Sequence, residues 1–325
     1  MNKILLFALL AASVSNGQTY PPEAESPGST AVDKDSPLYV AWATGITVER
    51  GYLNISNPDF MIGGSNRVSS GTPENALGAP TGPTVSLGDR GTATLTFARP
   101  ITNEEGFDFA VFENGGPGFL ELAFVEVSSD GIHFFRFPAH SQTQTDTQIG
   151  SFGSPSAPYL NNLAGKYAGS YGTPFDLSEL PNDALLNKNN ITHVRIIDVV
   201  GAIDPLYASY DAFGNAVNES FPTPFISGGF DLQAVGIFHE ATLGVGDISK
   251  SKLLLYPNPA KDYFTLTVME SATVVVYDVS GRQVLQQQIE PAGRIAVSDL
   301  NAGVYFVALT LNGQQQKSLQ RLIVQ

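Results

Sequence analysis

The sequence predicts an all-β protein, with a jelly-roll-like β-sandwich followed by a second, smaller sandwich. Its 32 glycines and 21 prolines are scattered without a three-residue period, which is typical of a turn-rich β protein and excludes collagen. Short runs of alternating polar and apolar residues recur between turn signals, as half-buried strands require. No long stretch has the capped, amphipathic pattern of a helix, so we expect little helical structure.

Residues 1–17 have the pattern of an export signal. Lys3 precedes an apolar run at residues 4–12, and small and polar residues follow as far as Gly17. This run is too short to span a hydrocarbon layer about 30 Å thick, and its order of basic, apolar and small regions is typical of a secretory signal peptide. We expect cleavage after Gly17, with a buried N-terminal helix as the alternative. We expect no transmembrane segment elsewhere.

The charge divides the rest of the chain into two modules. The formal net charge is −14, and residues 18–249 carry 26 acidic and 9 basic side chains, against 5 and 7 in residues 250–325. We therefore expect an acidic module at residues 18–245 and a linker at residues 246–252. This acidity argues against a nucleic-acid partner, which needs a basic surface. The absence of cysteine excludes disulfides, thiolate catalysis and iron–sulfur clusters.

The acidic module contains six runs with the pattern of strands. A Ser129-Asp130-Gly131 turn joins two of these runs into a hairpin. Residues 177–187 are the nearest candidate for a helix, but they contain Pro181 and predict a turn or a short helix. The six predicted strands are residues 91–97, 107–113, 120–128, 132–137, 194–200 and 230–238.

Part of this module is similar to known surface proteins. Residues 124–131, of sequence FVEVSSDG, resemble a hairpin of discoidin-like and galactose-binding-like jelly rolls. The wider pattern at residues 76–80, 107–114 and 163–167 is similar to uncharacterised bacterial cell-surface proteins and, more remotely, to surface proteins of gut Bacteroidota that capture corrinoids. The resemblance implies a binding protein and leaves its ligand open.

The C-terminal module has the spacing of a small β-sandwich. Turn signals lie at residues 278–281, at residues 301–303 and at Asn312-Gly313. The strands that they separate are predicted at residues 264–268, 273–277, 283–288, 304–311 and 319–324.

Three motifs of this module resemble a known family. They are LYPNPA at residues 255–260, VYDVSGR at residues 276–282 and LNAGVYFV at residues 300–307, and they resemble the type A C-terminal sorting domain of the type IX secretion system. The residues that carry the resemblance are Tyr256, Pro257, Asn258, Pro259, Gly281 and Gly303.

The resemblance implies that residues 253–325 form an Ig-like sandwich that addresses the protein to the type IX machinery. It also implies a cargo of a Gram-negative, Bacteroidota-like cell, which passes through the periplasm and is then released or fixed to the outer-membrane surface. From the residues alone, the alternative is an ordinary accessory sandwich domain.

Known catalytic motifs are absent from the sequence. The segment Gly63-Gly64-Ser65-Asn66-Arg67 lacks the last glycine of a nucleophile elbow. The four histidines never pair at metal-ligand spacing, and there is no phosphate-binding loop. Two carboxylates could still form a glycosidase pair, because that pair is defined by a separation that sequence does not give.

Oxygen-bearing side chains near predicted strand ends indicate a calcium site. Calcium takes six to eight hard oxygen ligands, and secreted sandwiches with excess carboxylate can use it to hold long loops. The alternative is that these acids are solvated surface charge. The candidate ligands are Asp108, Glu113, Asn114, Asp204, Asp211 and Asp231.

Aromatic residues in predicted loops indicate a ligand surface, since Tyr and Trp pair an apolar ring with a polar group. The alternative is that these rings pack on the edge of the sandwich. The segment at residues 161–175 is the preferred binding loop. The candidate ligand-binding residues are Trp42, Lys166, Tyr167, Tyr171, Tyr207 and Tyr210.

We therefore expect a non-enzymatic binding protein that is secreted or attached to the cell surface. Its expected ligand is an extracellular glycan or a small molecule such as a corrinoid, with calcium as its one possible cofactor. The alternatives are a polysaccharide-acting hydrolase with paired carboxylates and a purely adhesive surface protein.

Overall fold

The computed structural model describes residues 20–116, 118–167, 169–241, 255–266, 271–291, 293–311 and 317–325. The predicted signal peptide and linker lie outside these residues. The chain divides into two compact units, Met1–Thr242 and Leu243–Gln325, which are described separately.

The first unit is built from two antiparallel sheets and confirms the all-β prediction. One sheet has the order β1-β11-β6-β13-β2, with β4 also paired to β13, and the other has the order β3-β5-β12-β7-β8. A small β9-β10 pair and three short 3-10 helices, Pro73–Ala76, Ala157–Tyr159 and Leu177–Glu179, complete it. The strands are β1 Val32–Asp33, β2 Ala41–Trp42, β3 Gly45–Glu49, β4 Val85–Ser86, β5 Thr92–Ile101, β6 Phe109–Glu113, β7 Ala123–Ser128, β8 Phe135–Arg136, β9 His140–Ser141, β10 Leu160–Asn161, β11 Tyr171–Phe175, β12 Ile191–Asp198 and β13 Asp231–Ile237.

The two sheets share one hydrophobic core. The start of β5 buries every second residue, including Ala93 and Leu95, as the alternation in the sequence predicts. The rings of Phe109, Phe137 and Phe175 pack together, with the centroids of Phe109 and Phe175 5.4 Å apart. Both faces of β6 and β7 are buried, which matches their nearly continuous apolar sequence.

Several predicted elements differ in extent from those observed, and residues 171–175 of the predicted binding loop form strand β11. Of the strand predicted at residues 132–137, only Phe135–Arg136 pairs, because Asp130 and Gly131 extend the turn and Asp130 accepts hydrogen bonds from the N–H groups of Ile132 and His133. The helix candidate at residues 177–187 is a single 3-10 turn ahead of Pro181. The strand predicted at residues 120–128 begins at Ala123.

The second unit is a smaller sandwich of two antiparallel sheets, with the orders β14-β15-β18 and β17-β16-β19-β20. Its own core includes Phe264, Val274, Val276, Val307 and Leu322. The strands are β14 Leu255–Tyr256, β15 Tyr263–Leu266, β16 Ala272–Asp278, β17 Gln283–Ile289, β18 Arg294–Ala296, β19 Gly303–Leu311 and β20 Lys317–Val324.

Candidate functional site

A cavity of about 180 Å³ lies where β6 ends and β13 begins. The two strands are antiparallel and pair Glu113 with Leu232, so the end of one and the start of the other meet at the same edge of the sheet. We call it the acidic cavity. Its lining residues are Asn114, Phe119, Glu121, Ser151, Phe152, Thr223, Phe225, Ser227, Gly228 and Asp231.

Two exposed phenylalanine rings stand at the acidic cavity. The side chain of Phe152 is 81% exposed and that of Phe225 is 41% exposed. Their ring centroids are 5.8 Å apart, so the rings pack on each other rather than on the core. Exposed apolar surface beside polar groups is a common property of ligand-binding surfaces.

The floor of the acidic cavity is made of carboxylates whose charged form is disfavoured. Burial raises the pKa of Glu121 well above its ordinary value, and the charges of Glu113 and Asp231 raise it further. Burial also raises the pKa of Asp231 to about 6, although a hydrogen bond from Ser86 and the charge of Arg50 oppose the change. Strongly raised carboxyl pKa values in a cavity are typical of functional sites.

Glu113 is the least compensated of these acids. It is fully buried on β6, and neither of its carboxylate oxygens has a hydrogen-bond partner among the residues that the structure describes. Burial raises its pKa well above the ordinary value, and the nearby charge of Asp231 adds to the effect. The N–H groups of Gly115 and Asn114 act in the opposite direction without reaching hydrogen-bond geometry. A buried polar group without a partner lowers the stability of a fold by about 1–3 kcal/mol, so a proton or a cation bound to Glu113 would stabilise the first unit.

Three further buried carboxylates lie near this floor and have structural hydrogen bonds. Asp198 accepts hydrogen bonds from the N–H groups of Phe230 (2.7 Å) and Arg90 (3.1 Å). Glu219 accepts one from the N–H of Leu122 (2.7 Å). Asp89 accepts one from the N–H of Ile55 (2.7 Å), and its burial raises its pKa to about 6.

Gly229 shows how closely the chain is packed at this edge. Its φ of +72° is unfavourable for residues with a side chain, and a Cβ there would lie 2.5 Å from Oδ1 of Asp198. Asp198 in turn binds the next N–H, that of Phe230. The segment that leads into β13 is thus held by a buried acid.

The sequence-predicted metal residues fall into separate places. Glu113, Asn114 and Asp231 come together at the acidic cavity. Asp108 lies at the opposite end of β6, where it accepts hydrogen bonds from the N–H groups of Glu104 and Leu177 and contacts Nδ1 of His239.

The remaining two members of that set lie in the loop between β12 and β13. Asp204 is exposed and accepts a hydrogen bond from the N–H of Leu206. Asp211 accepts hydrogen bonds from Ser141 and Asn215, among others. Within the described residues, no three carboxylate or imidazole side chains are already arranged to hold a metal ion.

Three of the sequence-predicted ligand residues line a second cavity, of about 210 Å³. We call it the lysine cavity. Lys166 is buried there, its Nζ donates a hydrogen bond to the carbonyl of Leu160 (2.8 Å), and burial lowers its pKa to about 8. The lining residues are Glu23, Ala24, Glu25, Gly118, Leu120, Lys166, Tyr167 and Tyr171.

The two tyrosines of the lysine cavity are not freely exposed rings. Tyr167 is only 2% exposed, and its hydroxyl lies 2.8 Å from that of Thr30 in the N-terminal segment. Tyr171 is half-buried and donates a hydrogen bond to Oε1 of Glu25 (2.7 Å). The N-terminal segment therefore covers part of the preferred binding loop.

The other three predicted ligand residues lie apart from both cavities. Trp42 lies on the edge strand β2, and its ring stacks on that of Tyr39 with the centroids 4.7 Å apart. Tyr207 packs against a small cluster that includes Val200 and Phe221. Tyr210 is 45% exposed.

Sequence reasoning missed Glu121, Phe152 and Phe225. Glu121 had a signal, because it is a single acid in the apolar run from Phe119 to Phe124. Phe152 and Phe225 lie in Gly-, Ser- and Pro-rich loops and are separated by about seventy residues, and nothing local shows that they meet.

The motif residues of the C-terminal unit connect its first and last strands. The side chain of Asn258 donates a hydrogen bond to the carbonyl of Arg321 (2.8 Å) and accepts one from the N–H of Ile323 (2.9 Å). Gly281 has a φ of +81° in the turn after β16, where a side chain would be strained, and Gly303 begins β19. Tyr256 is 54% exposed, with Pro257 and Pro259 on either side of Asn258.

Comparison with known proteins identifies the C-terminal unit. Residues 254–325 match the secretion system C-terminal sorting domain family. No curated protein sequence matches the chain.

Solved structures are similar only at low scores. PorZ, a surface component of the type IX secretion system of Porphyromonas gingivalis, is 21% identical with a TM-score of 0.21; the match covers 29% of this chain and 14% of PorZ. A Parabacteroides merdae β-glucuronidase is 10% identical with a TM-score of 0.23, covering 91% of this chain and 36% of the enzyme. The BSP domain of a biofilm-associated protein is 10% identical with a TM-score of 0.20, and the match covers 72% of this chain and 48% of that protein. This chain thus spans less than half of each of these proteins, and scores this low carry no argument about its function.

The destination of the protein follows from the matched family. Among the described residues, no helix is both long enough and apolar enough to cross a membrane. A sorting domain directs the protein that carries it to the secretion machinery, so this protein is secreted or attached to the cell surface. Residues 254–325 are a C-terminal sorting domain of the type IX secretion system.

Proposed function

We propose that the first unit is a glycan-binding domain and that the acidic cavity is its binding site. The observation that supports this function is the pair of exposed phenylalanine rings, Phe152 and Phe225, beside the carboxylates of Glu121 and Asp231 that line the cavity. A sugar offers both apolar C–H faces and hydroxyl donors. The rings would cover the C–H faces, and Glu121 and Asp231 would accept hydrogen bonds from the hydroxyls.

The size of the acidic cavity favours a single sugar unit over a large cofactor. Its volume of about 180 Å³ is below the roughly 300–1,000 Å³ of pockets that enclose a drug-sized ligand. A corrinoid is larger still, so this cavity could hold only a part of one. A glycan chain, in contrast, can place one residue in the cavity and leave its neighbours in solvent.

The test is a binding measurement on the full chain. Isothermal titration against a panel of oligosaccharides and polysaccharides, with a corrinoid included, should find a glycan whose affinity falls about fivefold in Phe152→Ala or Phe225→Ala. That loss corresponds to about 1 kcal/mol of ring contact. Phe213→Ala is the matched control, because Phe213 is also exposed (66%) but does not line the acidic cavity.

An unchanged affinity in both cavity variants would place the binding site elsewhere. The lysine cavity is then the next candidate, and Tyr171→Phe, which removes the hydroxyl bonded to Glu25, is the variant to measure there. A panel with no ligand, together with weaker adhesion of cells that lack the protein, would favour a purely adhesive role.

The raised carboxyl pKa values support a second candidate function, a polysaccharide-acting hydrolase. Glu121, whose pKa is raised well above the ordinary value, would serve as general acid, and Asp231, with a pKa of about 6, as its partner. Release of reducing ends from a polysaccharide that binds, and its loss in Glu121→Gln with binding retained, would establish the hydrolase. Intact polysaccharide after prolonged incubation would leave only the binding function.

We also propose the route of export. Residues 1–17 would direct the chain into the periplasm, and the sorting domain would then engage the type IX machinery for release or attachment at the outer-membrane surface. Mass spectrometry of the secreted protein tests the cleavage after Gly17. A mature chain that begins at Gln18 is expected, and an intact Met1 on the exported protein would contradict the signal peptide.

A further inference from the structure

Six buried carboxylates at one edge of the first unit interact electrostatically. We call them the acidic cluster, and they are Asp89, Glu113, Glu121, Asp198, Glu219 and Asp231. All but Asp231 are at most 7% exposed. Like charges at such short range oppose one another strongly when water is excluded, so the cluster needs protons or a cation.

Two arginines among the described residues supply only part of that positive charge. Arg50 lowers the pKa of Asp231, and Arg90 lowers that of Asp89. The guanidinium of Arg50 donates its hydrogen bonds to the carbonyls of Ser70, Ser86 and Gly71, and not to a carboxylate. Arg90 donates to the carbonyl of Tyr207. Both are therefore held by backbone oxygens.

Hydrogen bonding divides the cluster into two groups. Asp89, Asp198 and Glu219 each accept at least one backbone N–H, which accounts for their burial. In the described part of the chain, neither the Glu113 carboxylate nor the Glu121 carboxylate accepts a hydrogen bond.

Asp231 belongs with the second group. Within the described ranges it accepts a hydrogen bond from Ser86, at Oδ1, and none at its other oxygen. Up to five carboxylate oxygens, from Glu113, Glu121 and Asp231, therefore remain available at or behind the floor of the acidic cavity. Glu113 is the strongest indication of a bound ion. Its carboxylate is fully buried, and hydrogen bonds from the described residues do not compensate for that burial.

We propose that Glu113, Glu121 and Asp231 bind a calcium ion at the floor of the acidic cavity. The side-chain amide oxygen of Asn114, which lines the same cavity, would be a further ligand. This inference deepens the proposed function and rests on it for the role of the cavity, because a calcium ion there can also bind sugar hydroxyls.

The ligand chemistry selects calcium among the common metals. All the candidate donors are oxygens, which zinc rarely uses alone. Calcium accepts six to eight oxygens in irregular geometry, whereas magnesium demands a near-ideal octahedron and keeps several waters. The ligands are not preassembled, so the Glu113 and Glu121 side chains must turn towards the ion. Extracellular modules bind calcium with dissociation constants of about 10⁻⁴–10⁻³ M, so a site that assembles in this way suffices outside the cell.

The experiment follows unfolding of the full chain after treatment with chelator. Trp42, the chain's single tryptophan, lies in the first unit, so its fluorescence reports on that unit alone. Addition of about 5 mM calcium chloride should raise the melting temperature by several degrees, since a ligand of the native state stabilises it. Magnesium chloride at the same concentration should raise it less.

Three variants locate the site. Glu113→Gln should fold without calcium, because it removes a buried charge, and its calcium affinity should fall about tenfold or more. Glu121→Gln should behave in the same way and serves as the second variant. Asp204→Asn is the matched control, since Asp204 was also a sequence-predicted ligand but is exposed in another loop. It should keep the full response to calcium.

The outcomes separate this inference from the proposed function. No calcium response in the wild-type protein, or an undiminished response in Glu113→Gln and Glu121→Gln, would overturn the calcium site. Sugar binding that persists in chelator would show that calcium does not bind the sugar, and it would leave the glycan-binding function intact. A calcium response without any glycan ligand would support the metal site and contradict the proposed function.

Discussion

Replacement of Lys166 by methionine should remove the gain in unfolding free energy that this lysine contributes between pH 7 and pH 9. Lys166 is 4% exposed, and burial of its ammonium group lowers the pKa from 10.5 to about 8, although the charge of Glu23 opposes the change. Each pKa unit corresponds to about 1.4 kcal/mol. The buried charge therefore costs the folded state about 3.5 kcal/mol at neutral pH.

The sign of the effect follows from the two pKa values. Below pH 8 the amine is protonated in both states, and the fold carries the full cost of the buried charge. As the pH rises from about 8 towards 10.5, the folded state loses the proton before the unfolded state does, so stability increases. Between pH 7 and pH 9 the gain from this group should be about 1.3 kcal/mol.

The assay is urea unfolding of the full chain, followed by the fluorescence of Trp42, at several values between pH 7 and pH 9. The difference in unfolding free energy between wild type and Lys166→Met should change by about 1.3 kcal/mol over this range. Lys188→Met is the control, because Lys188 also donates to backbone carbonyls, those of Ser178 and Leu180, but is only half-buried. Parallel pH profiles for wild type and Lys166→Met would refute the reasoning.

Three further substitutions test other features. Gly229→Ala should destabilise the first unit by about 2–4 kcal/mol, because the new Cβ meets Asp198 at a φ of +72°; urea unfolding measures the loss, and a loss below 1 kcal/mol would contradict the packing. Tyr167→Ala should lower the stability by about 3 kcal/mol, since the side chain is buried in a hydrophobic cluster, and an unchanged melting temperature would show instead that the ring is free. Asn258→Ala should weaken the sorting domain by about 1–2 kcal/mol, through two lost hydrogen bonds to β20; faster proteolysis of that unit checks it, and equal protection would argue against it.

Six strands of the first unit, β5, β6, β7, β8, β12 and β13, could be predicted from the sequence because their signal is local. The alternation in β5 and the apolar runs of β7, β12 and β13 each specify a strand without knowledge of its neighbours. The family of the sorting domain also follows from short motifs, since Asn258 and its prolines are contiguous.

The candidate site could be predicted only in part, because distant loops build it. Glu113 and Asp231 were identifiable as acids next to apolar strand residues, and they meet because β6 and β13 are adjacent. Glu121 and Phe152 join them through tertiary contacts that no local pattern encodes. Tyr167 illustrates the opposite case. Its loop sequence favours exposure, yet the N-terminal segment around Thr30 folds over it.

The strand pairing of the sorting domain determines what a cut between the two units would leave behind. Ala260, just beyond the Asn258 motif, forms a parallel bridge with Val324, and the N–H of Gln325 donates a hydrogen bond to the carbonyl of Ala260. The two ends of this domain are thus fastened to each other, and each unit has its own core. A single cut ahead of residue 254 would release the sorting domain in its folded state and leave the core of the first unit intact.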